Sequence, residues 1–345
     1  MLIAQVAATY IGTVVGSGFA TGQEILQFFT IHYMWGTIGI IFSTLLFIWL
    51  GTKMMLFSNQ LGAYSYQQLN QALFGKYLGS FINLIVFIVL FGTTAVMLSG
   101  TGAIFQEQLG LSYQLGIIVT ILLSFLVIIK GLKGIFVVNS LVVPTMLLFS
   151  LLVLFHISNN ALFKEVFKIT PFFADGLNLE SWKWLTGALT YVAFNLTMAQ
   201  AVLVPMGKEI CDRKILRWGG IFGGLGLGFM LLIGHLGIFT MMPGAMALEI
   251  PMAHVIKQFG LITLGLFLLV VYGEVFTTLI GNVFGLTRQI QSMIDLPEKW
   301  LIIMILLVSF VISQIGFSSL VQLLYPIFGL LGMVLLLFIA IKKVT

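Results

Sequence analysis

A carboxylate and two hydroxyls stand at helical spacing inside an apolar run: Glu274, then Thr277 and Thr278 three and four residues on. Positions i, i+3 and i+4 share one face of a helix. Oxygens grouped in this way bind a small hard cation, or the acid accepts a proton. A carboxylate left charged and unpaired at membrane depth is costly, so such an acid is read as functional by default. The structural alternative is a protonated Glu satisfied by a neighbour.

A second cluster lies near the N-terminus, in Tyr10-Ile-Gly-Thr-Val-Val-Gly-Ser-Gly-Phe-Ala-Thr-Gly-Gln-Glu24. Glycine costs about 1 kcal/mol in a helix interior. Broken backbone at membrane depth survives only where protein buries it or it lines a polar cavity. Gly16, Ser17 and Gly18 are therefore expected to interrupt the first helix. The half-helix beginning at residues 21–23, with Thr21, points its positive dipole end back at the gap. Freed amides there suit a substrate carboxylate, and carbonyls across the break suit a cation. The glycines also fit close helix packing of the Gly-x-x-x-Gly kind. Glu24, beyond the break, has three open roles: lining an outer vestibule, binding a substrate amine, or capping local backbone.

The string Tyr191-Val-Ala-Phe-Asn-Leu-Thr-Met-Ala-Gln200, followed by Pro205, is the partner of this stretch. Asn195, Thr197 and Gln200 need internal partners at membrane depth. An interruption near residues 195–197 is expected to set them beside the first break, with Tyr191 and Phe194 shaping an apolar side-chain pocket. Interhelical hydrogen bonding is the alternative. Asn139 and Ser140 are placed to face the Glu274 cluster or simply to join helices, and His235 reads as a packed, hydrogen-bonded histidine.

Positioning these groups requires a membrane. Of the 345 residues, 60% are hydrophobic and 8% charged, against about 25% charged in soluble domains. Mean hydropathy is +1.13. At about 20 apolar residues per crossing, ten spans are expected. They fall at 2–29, 34–57, 81–105, 115–129, 135–157, 184–206, 216–241, 261–286, 300–313 and 320–341. With the N-terminus cytoplasmic, only Lys164, Lys168, Lys183 and Lys257 of the 16 Lys and Arg face outward. That bias follows the positive-inside rule and puts the C-terminus inside as well.

The two sets of five match in style at an offset of about 180 residues, which makes an inverted repeat, since five spans per half reverse the orientation. One transmembrane domain, 1–345, is expected, with repeats at about 1–158 and 182–345. Residues 58–80 read as an amphipathic inner helix, 159–181 as a cover on the outer face, and 243–258 as a re-entrant or lid hairpin. The first segment is read as a retained span, because it lacks a basic leader region. The single Cys211 excludes intrachain disulfides. The basic residues are spread among short loops, which does not point to nucleic acid. Gly-x-Ser-x-Gly, His-Glu-x-x-His and Walker-type strings are absent, so no enzyme and no cofactor are expected.

Ten spans in a five-plus-five inverted repeat, with Gly-Ser-Gly breaking the first helix, resemble the amino acid–polyamine–organocation superfamily with the LeuT fold. The strings Gly-Thr-Val-Val-Gly-Ser-Gly-Phe-Ala-Thr-Gly-Gln-Glu and Pro-Met-Gly-Lys-Glu resemble its bacterial YkvI-type branch. The resemblance implies an all-α secondary transporter of the bacterial inner membrane, with spans one and six flanking a small substrate such as an amino acid. It also implies a sodium site between the first-helix break and span eight, with adjacent hydroxyls matched here by Thr277 and Thr278. One turn earlier the family normally has a small residue offering only its carbonyl. Glu274 stands there, which leaves proton coupling, or a sodium site with an added charge. Members that act as spore-germinant receptor subunits keep the fold as sensors, so an amino-acid sensor without transport is the competing expectation.

Overall fold

The computed structural model describes residues 2–159, 182–247, 251–257 and 259–341. The expected outer cover at 159–181 lies almost wholly outside the described residues, as do Lys164, Lys168, Lys342 and Lys343. The described residues form helices joined by short turns. In chain order the α-helices are α1 (Leu2–Val14), α2 (Ser17–Thr21), α3 (Gln23–Phe28), α4 (Met34–Leu46), α5 (Thr52–Leu61), α6 (Tyr66–Phe74), α7 (Lys76–Ala103), α8 (Tyr113–Ile128) and α9 (Leu132–Asn159). After the undescribed stretch come α10 (Lys183–Glu209), α11 (Arg213–Phe239), α12 (Pro251–Lys257), α13 (Leu261–Gln291), α14 (Glu298–Ser313) and α15 (Phe317–Ile341).

Among the described residues, six helical segments are long and apolar enough to cross a membrane: Met34–Leu61, Lys76–Gln106, Leu132–Phe155, α10, α11 and α13. Helices suit that setting because they satisfy every backbone group internally. The protein is membrane-embedded. Among the shorter apolar helices is α1, which ends at Val14 because the chain breaks there. Gly16 is extended, at φ −126° and ψ −165°, and starts α2 without a side-chain cap. Gly22, at φ 87°, ends α2 in the left-handed region and starts α3. An L side chain is strained there, and an added Cβ would also press on Met252 and Ile238.

Span six differs from expectation. α10 runs unbroken from Lys183 to Glu209, through residues 195–197 and Pro205. The polar side chains expected to mark a break bond instead to their own helix. Asn195 Nδ2 donates to the Tyr191 carbonyl at 2.9 Å, Thr197 Oγ1 to Ala193 at 2.7 Å, and Gln200 Nε2 to Thr197 at 2.9 Å. Such back-bonding satisfies a polar residue without unwinding the helix.

α1 and α10 occupy the middle of the bundle, with α1 packed on α11, α9, α10 and α13, and α10 on α15, α5, α4 and α13. Helix α11 approaches its neighbours through two glycine stripes. Gly219, Gly223 and Gly226 lie on Val6, Tyr10 and Ile11 of α1, while Gly220, Gly224 and Gly228 lie on Thr52, Ile48 and Thr44. Without lipid-phase hydrophobic drive between helices, such close backbone approach supplies the packing. Tyr10 reinforces it by donating to the Phe47 carbonyl at 2.8 Å, at the π-helical turn Phe47–Gly51 joining α4 to α5. The end of α10 is tied by Asn59, whose Nδ2 reaches the Gly207 and Ile210 carbonyls at 3.1 and 3.0 Å.

The stretch 58–80, expected as one amphipathic helix, is divided among the end of α5, the short helix α6 with Ser65 as its N-cap, and the start of α7. Within 243–258, the described residues form a 3-10 turn, Gly244–Ala247, and the short helix α12, which packs on α2, α11 and α13.

Candidate functional site

The two clusters read from the sequence meet at the first-helix break. Thr278 Oγ1 on α13 donates to the Val15 carbonyl at 2.7 Å, across 263 positions of chain. Gly16 rests in the same place, where an added Cβ would lie 3.4 Å from Thr278 Oγ1 and 3.3 Å from Met97 Cε. Thr277 Oγ1 bonds within its own helix, to the Glu274 carbonyl at 2.9 Å. Glu274 is fully buried, and neither of its carboxylate oxygens has a hydrogen-bond partner among the described residues. A buried acid without partners holds a charge only if something neutralises it, so this group is poised for a cation or a proton.

Helix α9 closes the other side. Asn139 abuts α1 at Gly12, one turn before the break, where an added Cβ would overlap its amide. Its Nδ2 donates to the Ile135 carbonyl at 2.9 Å, while its Oδ1 and the Ser140 hydroxyl are without partners. α9 meets α13 where Gly273 closes on Val142. No hydrogen bond joins Asn139 or Ser140 to Glu274. From α7, Thr93 Oγ1 accepts from Asn282 Nδ2 at 2.9 Å, leaving Asn282 Oδ1 buried without a partner. Asn282, one turn beyond Thr278 on α13, is a polar member of this region that sequence reading missed. Its signal was an amide in an apolar run, like that of Asn195.

Beyond the break, Glu24 folds back on α2. An added Cβ at Gly18 would lie 2.3 Å from Glu24 Oε1, and Glu24 Oε2 is buried without a partner. Thr21 donates to the Gly18 carbonyl at 3.2 Å. Above α2, a small apolar cavity is walled by Phe19 and Ile25, by Met146 and Phe149 of α9, and by Met230 and Met252.

The α10 residues divide among three surroundings. The Tyr191 ring is enclosed by Phe28, Phe29 and Phe47, at centroid separations of 5.4, 5.1 and 6.0 Å. Phe194 instead turns toward α15 and stacks on Phe328 at 6.3 Å. Asn195 Oδ1 is buried without a partner. Gln200 belongs to a separate amide cluster, where its Oε1 accepts from Asn70 Nδ2 at 3.3 Å while Asn70 also donates to Asn83 at 2.9 Å.

His235 is packed and bonded on both ring nitrogens, to Thr30 and Thr37 at 3.0 Å each. Thr30 also donates to the Ile25 carbonyl at 3.2 Å. Its single hydroxyl proton is then committed, so Nδ1–H donates to Thr30, and Nε2 faces the Thr37 hydroxyl. The ring is a strut tying α11 to the start of α4.

No family model matches the sequence. The chain is 40% identical over 339 residues to the membrane protein YkvI of Bacillus subtilis strain 168, covering 98% of this chain and 95% of that protein. The chain belongs to the YkvI family of membrane proteins. A second B. subtilis protein, YyaD, is 26% identical over 328 residues, covering 94% of the YkvI-family chain and 92% of its own. Among solved structures, MhsT in complex with L-phenylalanine is similar at TM-score 0.71 and 13% identity, over 96% of this chain and 87% of MhsT. A substrate-bound, Na+-coupled sialic acid symporter matches at TM-score 0.70 and 13% identity, over 99% and 79%. The Eremococcus coleocola manganese transporter matches at 0.65 and 13%, over 98% and 76%. At these identities the likeness establishes the fold, which is of the LeuT type.

Proposed function

We propose that this YkvI-family protein is a secondary transporter that takes up a small amino acid or related zwitterion, coupled to H+ or Na+, by alternating access. Its fold is shared with solved transporters whose names record an amino acid, a sugar acid and a metal as ligands or cargo. One observation carries the reading: fully buried Glu274 has two unpartnered carboxylate oxygens on the helix face where Thr278 clasps the broken first helix. The coupling cation would sit among the Glu274 carboxylate, the Thr278 hydroxyl and the Val15 carbonyl, with Thr277 holding the turn. In the proton version, Glu274 itself gains and loses H+. Either occupant neutralises a charge that the bilayer interior penalises.

The uncapped amides of Gly16, Ser17 and Gly18 would face the substrate carboxylate, Glu24 the amine, and Tyr191 and Asn195 the side chain. With α10 unbroken, span six offers side chains rather than free backbone, so the burden of polar recognition falls on the first helix. Ten crossings in a five-plus-five inverted repeat fit the element order: α1 to α3, α4 with α5, α7, α8 and α9, then α10, α11, α13, α14 and α15. The chain would form one domain, with both termini cytoplasmic in a bacterial inner membrane. Spans one, two, six and seven would rock against three, four, eight and nine. No resident cofactor is part of the proposal.

The test is uptake of amino acids into proteoliposomes under imposed pH and sodium gradients. Gradient-driven accumulation that Glu274→Gln abolishes is expected. Accumulation that remains equally gradient-dependent in that variant overturns the coupling assignment. Saturable amino-acid binding without flux under any gradient replaces the transporter with a sensor.

A further inference from the structure

A groove on the flank of the bundle combines features that the transport reading leaves unused. It lies between the α4–α5 segment and α11, and its walls include Trp49, Thr52, Lys53 and Arg217. Among the described residues, no acidic side chain lines it. Lys53 is half-buried, donates to the Ala340 carbonyl at 2.9 Å and sits 5.2 Å from the Trp49 ring centre. That leaves two of its ammonium protons for another acceptor. Arg217 is exposed and has no hydrogen-bond or ion-pair partner among the described residues. The Thr52 hydroxyl is buried, also without a partner.

Two cations around one opening, with the Thr52 hydroxyl packed away against Gly220, call for an anion with several acceptor oxygens. The surroundings decide its source. Trp218 and Phe222, adjacent on α11, are exposed and stacked at 5.7 Å, as aromatic side chains stand at a membrane–water boundary. The groove's own walls also include Ile48, Leu56 and Ile221, and one helical turn on from Trp49 and Ile221 the side chains of Leu45 on α4 and Leu225 on α11 are exposed. Charge at one end and hydrocarbon along the rest match an amphiphile rather than a free ion. We propose that this groove binds an anionic phospholipid, its phosphodiester held by Lys53 and Arg217 and its acyl chains laid between α4 and α11.

Native mass spectrometry of the purified full chain tests this, with phosphatidylglycerol and phosphatidylcholine of identical acyl chains as probes. Wild-type protein should retain phosphatidylglycerol about tenfold better than phosphatidylcholine. Arg217→Gln should cut that preference, and Lys53→Gln with Arg217→Gln should remove it. A charge-matched control, Lys76→Gln with Lys299→Gln, should keep it. If the double variant fails to fold, Arg217→Gln alone decides, because that exposed side chain has no hydrogen bond or ion pair to lose among the described residues. Equal retention of the two lipids by wild type, or undiminished preference in Arg217→Gln, overturns the proposal. Displacement of phosphatidylglycerol by millimolar inorganic phosphate also overturns it, in favour of a free-anion site.

Discussion

Thr278 donates its hydroxyl proton to the carbonyl of Val15, at 2.7 Å, where the first helix stops. This bond spans 263 positions and satisfies a carbonyl that the break would otherwise leave without an intrahelical partner. It also ties α13, which carries Glu274 one turn before Thr278, to the interruption in α1.

Replacing Thr278 with Val keeps shape and removes the donor. The orphaned Val15 carbonyl should cost about 1–3 kcal/mol of stability, read as a lower thermal midpoint in detergent. Thr278→Ser should recover most of the loss, and the Val variant should show weakened sodium or pH dependence of uptake.

Gly18 and Glu24 are coupled by contact, since a Cβ at Gly18 meets the Glu24 carboxyl group. Gly18→Ala should destabilise the protein by about 1–3 kcal/mol through overpacking. In the double variant with Glu24→Ala, the two effects should fail to add by about 0.5–3 kcal/mol. Additive melting shifts would mean that the two residues act independently.

His235 acts as a strut, so His235→Ala should cost about 1–3 kcal/mol by leaving Thr37 without its ring partner and removing the bridge to Thr30. Its pH profile of transport should match wild type. A shifted profile would make the ring a proton carrier instead.

His32, in the turn after the first span, is half-buried, and burial first and Lys183 second hold its pKa below the usual histidine range. The folded state therefore favours the neutral ring, while the unfolded chain takes up a proton at about pH 6.5. Stability from this group is present above that pH and is lost as pH falls through the lower folded value. Melting temperatures between pH 7 and pH 5 should fall more for wild type than for His32→Gln.

Membrane class, the helical architecture of the described residues and the break at Gly16 were legible in the sequence, because each rests on composition or on glycine's local cost. The expected break in span six was not realised. Asn195 and Thr197 look like break residues in a string, yet a carbonyl four residues back takes the side-chain donor of each without unwinding. Sequence supplies the polar atom, and only the folded helix decides whether its partner is near or far.

The same distinction governs the site. Glu274, Thr277 and Thr278 could be picked out together because helical spacing binds i, i+3 and i+4 to one face. That Thr277 turns inward to its own helix while Thr278 reaches Val15 depended on how α13 crosses α1. Gly18 under Glu24, Gly12 under Asn139, and the groove between Lys53 and Arg217 likewise join residues that no local rule connects. Spacing along the chain determined which groups share a face; packing between helices, fixed by where glycines let backbones approach, determined what each face meets.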